Sequence, residues 1–195
     1  MAATHPEITT SVHPATLVED DLVTSSTGRK VLAAARVTTG FIFLWAFLDK
    51  CFGLHYSTGA ATADGSPVSL SWLNGGKPSQ GFLLFGTQGP FKDFFGNIAG
   101  PVTDWLFMLG MLGIGVAVML GIGLRVSAVA GSIMMGMMWL AEWPPTQGST
   151  NPLIDYHVIY ALVLILCAVL LAGDTWGLGG RWAKLPIVRR MSWLR

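Results

Sequence analysis

The chain has 195 residues, of which 52% are hydrophobic and only 12% charged, against roughly 25% charged in a water-soluble domain. That deficit points to a membrane protein with the lipid bilayer as its first partner. A net charge of +1, with no arginine-rich or aromatic stacking motif, argues against a nucleic-acid surface.

Residues 1–28 are polar and mildly acidic, with Glu7, Glu19, Asp20 and Asp21. They lack the basic start and short apolar run of a signal peptide, and they read as a disordered cytoplasmic tail. Residues 29–178 form the expected membrane domain. Its four apolar segments are 31–53, 102–120, 126–143 and 153–172, each near the ~20 residues that cross a hydrocarbon layer. Pro101 and Pro152 suit the first position of a helix, and Asn151 suits the N-cap of the fourth. Pro144 and Pro145 stop the third, and Gly121 and Gly123 turn the chain between the second and third. The fold expected is an all-α, antiparallel four-helix transmembrane bundle.

The basic residues orient it. Arg29, Lys30, Arg125, Arg181, Lys184, Arg189, Arg190 and Arg195 all fall on one side, and the 144–151 loop has none. Both termini are therefore expected in the cytoplasm. Residues 179–195 mix tryptophan and leucine with five basic residues, the pattern of an interfacial tail on the anionic inner leaflet.

The long first loop, 54–100, is rich in glycine and serine yet strongly aromatic. Phe91, Phe94, Phe95 and Ile98 recur at helical spacing, and Trp72, Phe82, Leu83 and Phe85 add apolar surface. The loop is expected to cap the outer end of the bundle or to rest in the lipid interface. Gly113, Ala117 and Gly121, and Ala128, Ser132 and Gly136, recur every four residues and suggest faces for close helix packing. The two cysteines, Cys51 and Cys167, fall toward opposite faces and are not expected to bridge. The methionines of the third segment surround it and read as packing rather than a copper site.

Six ionisable residues interrupt the apolar segments near one end: Asp49, Lys50, Asp104, Glu142, Asp155 and His157. Charge in hydrocarbon costs roughly 3 kcal/mol or more per group, so such residues mark sites. Asp104 and Asp155 stand in first turns, where carboxylates suit the positive helix end. Asp49 and Glu142 stand at negative ends and need compensation from a cation, a proton or a ligand. Lys50 is the candidate partner, toward Glu142 or Asp104 rather than its neighbour Asp49. Arg36 lies near the inner face, where a structural pairing with Asp174 is open. His157 is either a satisfied core residue or a proton carrier beside an acid. It lacks a second buried imidazole, so haem is not expected; nor is a flavin or a metal. Trp45, Trp105, Trp139, Trp143 and Tyr156 share this level, either as an interfacial belt or as a slot for a flat ring such as a quinone.

Several stretches together resemble the DoxX/DoxD family of small four-helix membrane proteins. They are Arg36-Val-Thr-Thr-Gly40, Phe47-Leu-Asp-Lys50, Trp72-Leu-Asn-Gly-Gly76, Asp104-Trp-Leu-Phe-Met-Leu-Gly110, Leu140-Ala-Glu-Trp-Pro144, Asn151-Pro-Leu-Ile-Asp-Tyr-His157 and Gly173-Asp-Thr-Trp-Gly177. The last two are most similar to actinobacterial proteins of the thiosulfate:quinone oxidoreductase large-subunit type. The resemblance covers about residues 30–185. It implies a plasma-membrane protein that oxidises thiosulfate to tetrathionate and passes electrons to a quinone, here menaquinone, beside further membrane or respiratory subunits. Under that reading Lys50 holds an anionic substrate or a quinone carbonyl, and Glu142, Asp155 and His157 handle protons. Asp49 and Asp104 orient the cationic groups, while Trp105, Trp143 and Tyr156 face the ring. The alternative is a non-catalytic accessory subunit of a larger respiratory complex, in which the same charges fix helix packing.

Overall fold

The computed structural model describes residues 17–59, 70–146 and 151–195. Among them no strand occurs. Helix α1 is a single turn, Glu19–Leu22. Then come α2 (Ser26–Phe52), α3 (Lys92–Ile98), α4 (Pro101–Leu120), α5 (Leu124–Glu142) and α6 (Tyr156–Val169). Two short helices, α7 (Gly179–Trp182) and α8 (Pro186–Arg190), finish the chain. Part of the expected disordered tail lies outside the described residues, but residues 17–28 are folded.

Helices α2, α4 and α5 are long and apolar enough to cross a membrane. Their outward faces agree. Val102, Leu106 and Leu109 on α4, and Val129 and Ile133 on α5, are more than half exposed, which water would penalise and lipid does not. The fourth apolar segment makes a shorter helix than expected. With 14 residues, α6 spans only about 21 Å. Its N-cap is Asp155, whose carboxylate accepts from the His157 and Val158 amides at 3.0 and 3.3 Å. Asn151, expected to fill that role, instead accepts from the amides of Leu153 and Ile154 in a turn one step earlier. Asparagine serves both purposes, and here Asp155 takes the N-cap.

The helices pair unevenly. Packing is most extensive between α2 and α4 and between α5 and α6, and thinner between α4 and α5 and between α2 and α6. The shared core contains Leu32 and Phe43 of α2, Ile114 and Val118 of α4, Leu124, Ala128 and Met135 of α5, and Leu164 and Cys167 of α6. Both cysteines are free and buried.

The glycines that bring helices together are not those the four-residue spacing suggests. Added as a Cβ, Gly40 would sit 2.8 Å from the Met119 amide nitrogen and Gly115 2.6 Å from that of Leu44. These two positions fix the α2–α4 crossing. Gly113 and Gly136 face open space. Gly121 does make a close approach, to Gly173, and its positive φ of 73° ends α4. Period alone marks a small face but not whether a neighbour fills it. Gly115→Val should therefore destabilise the protein by about 3 kcal/mol or more, while Gly113→Val should change its detergent melting point little. Paired thermal melts check this.

The long loop packs down on the helices. The single-turn segments Trp72–Asn74 and Gly89–Phe91 lie against α2 and α5 respectively, and the π-helical turn Phe82–Gly86 meets α3 and α5. Leu83 and Phe95 bury beside Ala141, and the Gln88 amide donates to the Ala141 carbonyl at 2.8 Å. Only part of the expected apolar stripe is used. Phe95 is 2% exposed, whereas Phe94 and Phe85 remain 51% and 85% exposed, a division that fits a segment covering protein on one side and facing lipid headgroups on the other.

At the opposite end Arg36 is fully buried, and among the described residues no carboxylate pairs with it. Its guanidinium donates to five backbone carbonyls: Val118 and Met119 at the end of α4, then Ala172, Thr175 and Trp176 beyond α6, at 2.5–3.3 Å. The suggested Arg36–Asp174 pairing does not form. Asp174 instead binds Arg195 at 2.9 Å and accepts from the Glu19 amide at 3.1 Å. The negative ends of two helices compensate the guanidinium. Glu19 is also buried and accepts from the Thr175 amide at 2.9 Å. Burial pushes its carboxyl above the ordinary value, helped by the nearby Asp174 charge.

Candidate functional site

The carboxylates at the loop end of the helices are held by hydrogen-bond donors rather than by lysine or arginine among the described residues. Asp49, one residue in from the last turn of α2, is 1% exposed. It accepts from the amides of Tyr56 and Ser57 at 3.1 and 2.9 Å and from the Ser57 hydroxyl at 2.7 Å. The chain can turn back this tightly because Gly53 ends α2 with a φ of 70°. Three donors supply the compensation that a carboxylate at a helix C-terminus requires.

Asp104 repeats the device on α4. Its oxygens accept from the Ser79 amide at 2.8 Å, the Ser79 hydroxyl at 2.7 Å and the Gln80 side chain at 2.6 Å. Both aspartates thus tether the loop. Ser57, Ser79 and Gln80 were missed by sequence reasoning; the last two lie about 25 residues upstream of their partner in a glycine- and serine-rich stretch, where no spacing rule selects them.

Lys50 makes no ion pair among the described residues. Its Nζ lies 3.4 Å from the Ser57 hydroxyl, so the expected bridge to Glu142 or Asp104 is absent. The cation remains available beside the loop tether. Cys51 packs with Met108 and Met111, an apolar setting that suits a core residue rather than a nucleophile.

The remaining groups do come together. Glu142 is the last residue of α5, and Asp155, Tyr156 and His157 open α6. Tyr156 donates from its hydroxyl to Glu142 Oε1 at 3.0 Å, which answers the unfavourable dipole at that helix end. Asp155 Oδ2 lies 2.8 Å from His157 Nδ1. A carboxylate only accepts, so Nδ1 carries the hydrogen and Nε2 presents either a lone pair or, in the imidazolium, a second N–H. His157 is fully buried, and its Nε2 has no hydrogen-bond partner among the described residues. A buried polar atom without a partner costs about 1–3 kcal/mol. The Tyr156 ring lies 4.0 Å from the imidazole, centre to centre.

One ligand atom from each of Glu142, Asp155 and His157 can be chosen so that all lie within 4.8 Å of one another. The set mixes nitrogen and oxygen and could hold a divalent ion. The tryptophans divide between two corners. Trp105 meets Trp72 at 4.5 Å, whereas Trp143 meets Phe91 at 5.5 Å and Trp139 at 5.8 Å. Trp143 holds a positive φ of 46°, and Gly89 abuts its ring so closely that a Cβ there would lie 2.3 Å from it. The loop thus presses on the end of α5 directly beside Glu142.

Comparison with protein families, curated proteins and solved structures finds no match for this chain.

Proposed function

We propose that the chain is the quinone-side subunit of a membrane oxidoreductase of the DoxX/DoxD type. In this reading it is an antiparallel four-helix bundle of the plasma membrane, with both termini cytoplasmic and the loop capping its outer end. The observation that carries the proposal is the buried His157, oriented by Asp155 and with no partner for Nε2 among the described residues. A quinone oxygen is a partner of the right kind. When protonated at Nε2, the imidazole held by Asp155 would donate that N–H to a carbonyl of the oxidised ring and surrender the proton as the ring is reduced. Glu142 and Tyr156 form a second hydrogen-bonded pair through which a proton can be passed.

The electron donor proposed is thiosulfate. Two thiosulfates lose one electron each and join through a new S–S bond as tetrathionate. Menaquinone gains the two electrons and two protons to become the quinol. Lys50, which forms no ion pair among the described residues, attracts the anion. Electrons arrive through the partner subunit that the family resemblance implies.

A second reading has its own support. Asp49 and Asp104 are already occupied by loop donors, as in a polar network that fixes a docking surface for a larger respiratory complex. One preparation separates the two. A purified chain, alone or with one small subunit, that reduces a menaquinone analogue with thiosulfate supports the enzyme. Inactivity joined to stable co-purification of an oxidase or reductase supports the accessory role.

A further inference from the structure

The thin seam between α4 and α5 leaves a groove of about 410 Å³, lined by Leu109, Gly113, Ala117, Val126, Trp182 and Leu194, among others. Its size falls within the range of ligand sites, roughly 300–1,000 Å³. Its walls are almost wholly apolar, and Gly113 opens onto it with nothing within 4 Å of where a Cβ would stand. Both helices are long and apolar enough to span a bilayer, so the body of the groove lies at hydrocarbon depth. The Trp182 indole N–H is already taken by the Leu194 carbonyl at 2.7 Å, and the Ser127 hydroxyl by the Gly123 carbonyl at 3.1 Å. The body therefore offers a guest little beyond apolar contact.

The mouth differs. Arg125 lies in the chain between the lining residues Gly123 and Val126. Its Nη1 donates to the Ser192 carbonyl at 3.2 Å, and no carboxylate pairs with it among the described residues. Arg181 precedes Trp182 and is exposed, without an ion pair among the described residues. An apolar slot at membrane depth whose lining residues adjoin in the chain two cations, neither ion-paired among the described residues, has the amphipathic form of a phospholipid, and such cations select a negative headgroup.

We infer that this groove holds one acyl chain of an anionic phospholipid, its phosphate paired with Arg125 and Arg181. The site is separate from the His157 cluster and does not depend on the quinone reading.

Native mass spectrometry of the detergent-purified chain, given equal amounts of phosphatidylglycerol and phosphatidylcholine with the same acyl chains, tests it. The expected result is one retained phosphatidylglycerol per chain. Arg125→Gln and Arg181→Gln should each weaken retention about fivefold. Gly113→Phe should displace lipid of either headgroup while helicity is unchanged. Equal retention of the two lipids by the wild type would overturn the inference. So would undiminished lipid on a folded Gly113→Phe, a lipid-free dimer, or a bound quinone in the lipid's place. Arg181 is exposed, so undiminished phosphatidylglycerol on Arg181→Gln would overturn the inference even if Gly113→Phe does not fold.

Discussion

Arg36→Met should leave a protein that expresses poorly or melts far below the wild type. The guanidinium is the common donor for five carbonyls drawn from the end of α4 and the turns after α6. Methionine fills much of the volume but supplies no hydrogen. Each buried carbonyl left unpaired costs about 1–3 kcal/mol, so a loss of about 5 kcal/mol is expected, comparable to the whole stability of a modest domain. Arg36→Lys should fall between the two, because an ammonium cannot reach two groups of carbonyls with a planar fork. Thermal melts in one detergent would check the order Arg, Lys, Met. A melting point for Arg36→Met near that of the wild type would show that the carbonyl cradle is dispensable.

The second large effect concerns chemistry rather than folding. His157→Ala should reduce quinone turnover by about 10²–10⁴-fold. Asp155→Asn is the more informative variant. Asparagine is as good an N-cap as aspartate, so α6 should start where it does now. The imidazole would lose the carboxylate that accepts from Nδ1 and orients the ring, and turnover should fall. Glu142→Gln retains an acceptor for Tyr156 and should lower turnover without altering the melt. Folded variants that turn over quinone at the wild-type rate would remove the proposed site. Loss of thermal stability in parallel with turnover would assign these residues to architecture instead.

Much of the fold could be read from the sequence. The boundaries of α4 and α5 fall within two residues of the apolar segments, because Pro101 and the Gly121–Gly123 turn punctuate them. The fourth helix was overestimated, since hydropathy continues through Leu153 and Ile154 while the hydrogen bonds of Asn151 and Asp155 hold that stretch in turns. The Arg36 cradle was not legible. Its acceptors are backbone carbonyls, which carry no sequence signal. The requirement that Asp49 and Glu142 be compensated was readable from helix polarity; the compensating groups were not. Charge arguments look first to Lys50, whereas a serine in a following turn and a tyrosine opening the next helix supply the donors at less desolvation cost.

The uneven pairing of helices has a consequence for how the molecule can vary. Glu142, Tyr156 and His157 all belong to the α5–α6 pair, while the loop tethers Asp49 and Asp104 belong to α2 and α4. If the proposed function holds, the proton-handling groups and the loop tethers thus sit on different halves. A lineage could then reshape the loop for another guest and leave the α5–α6 pair untouched.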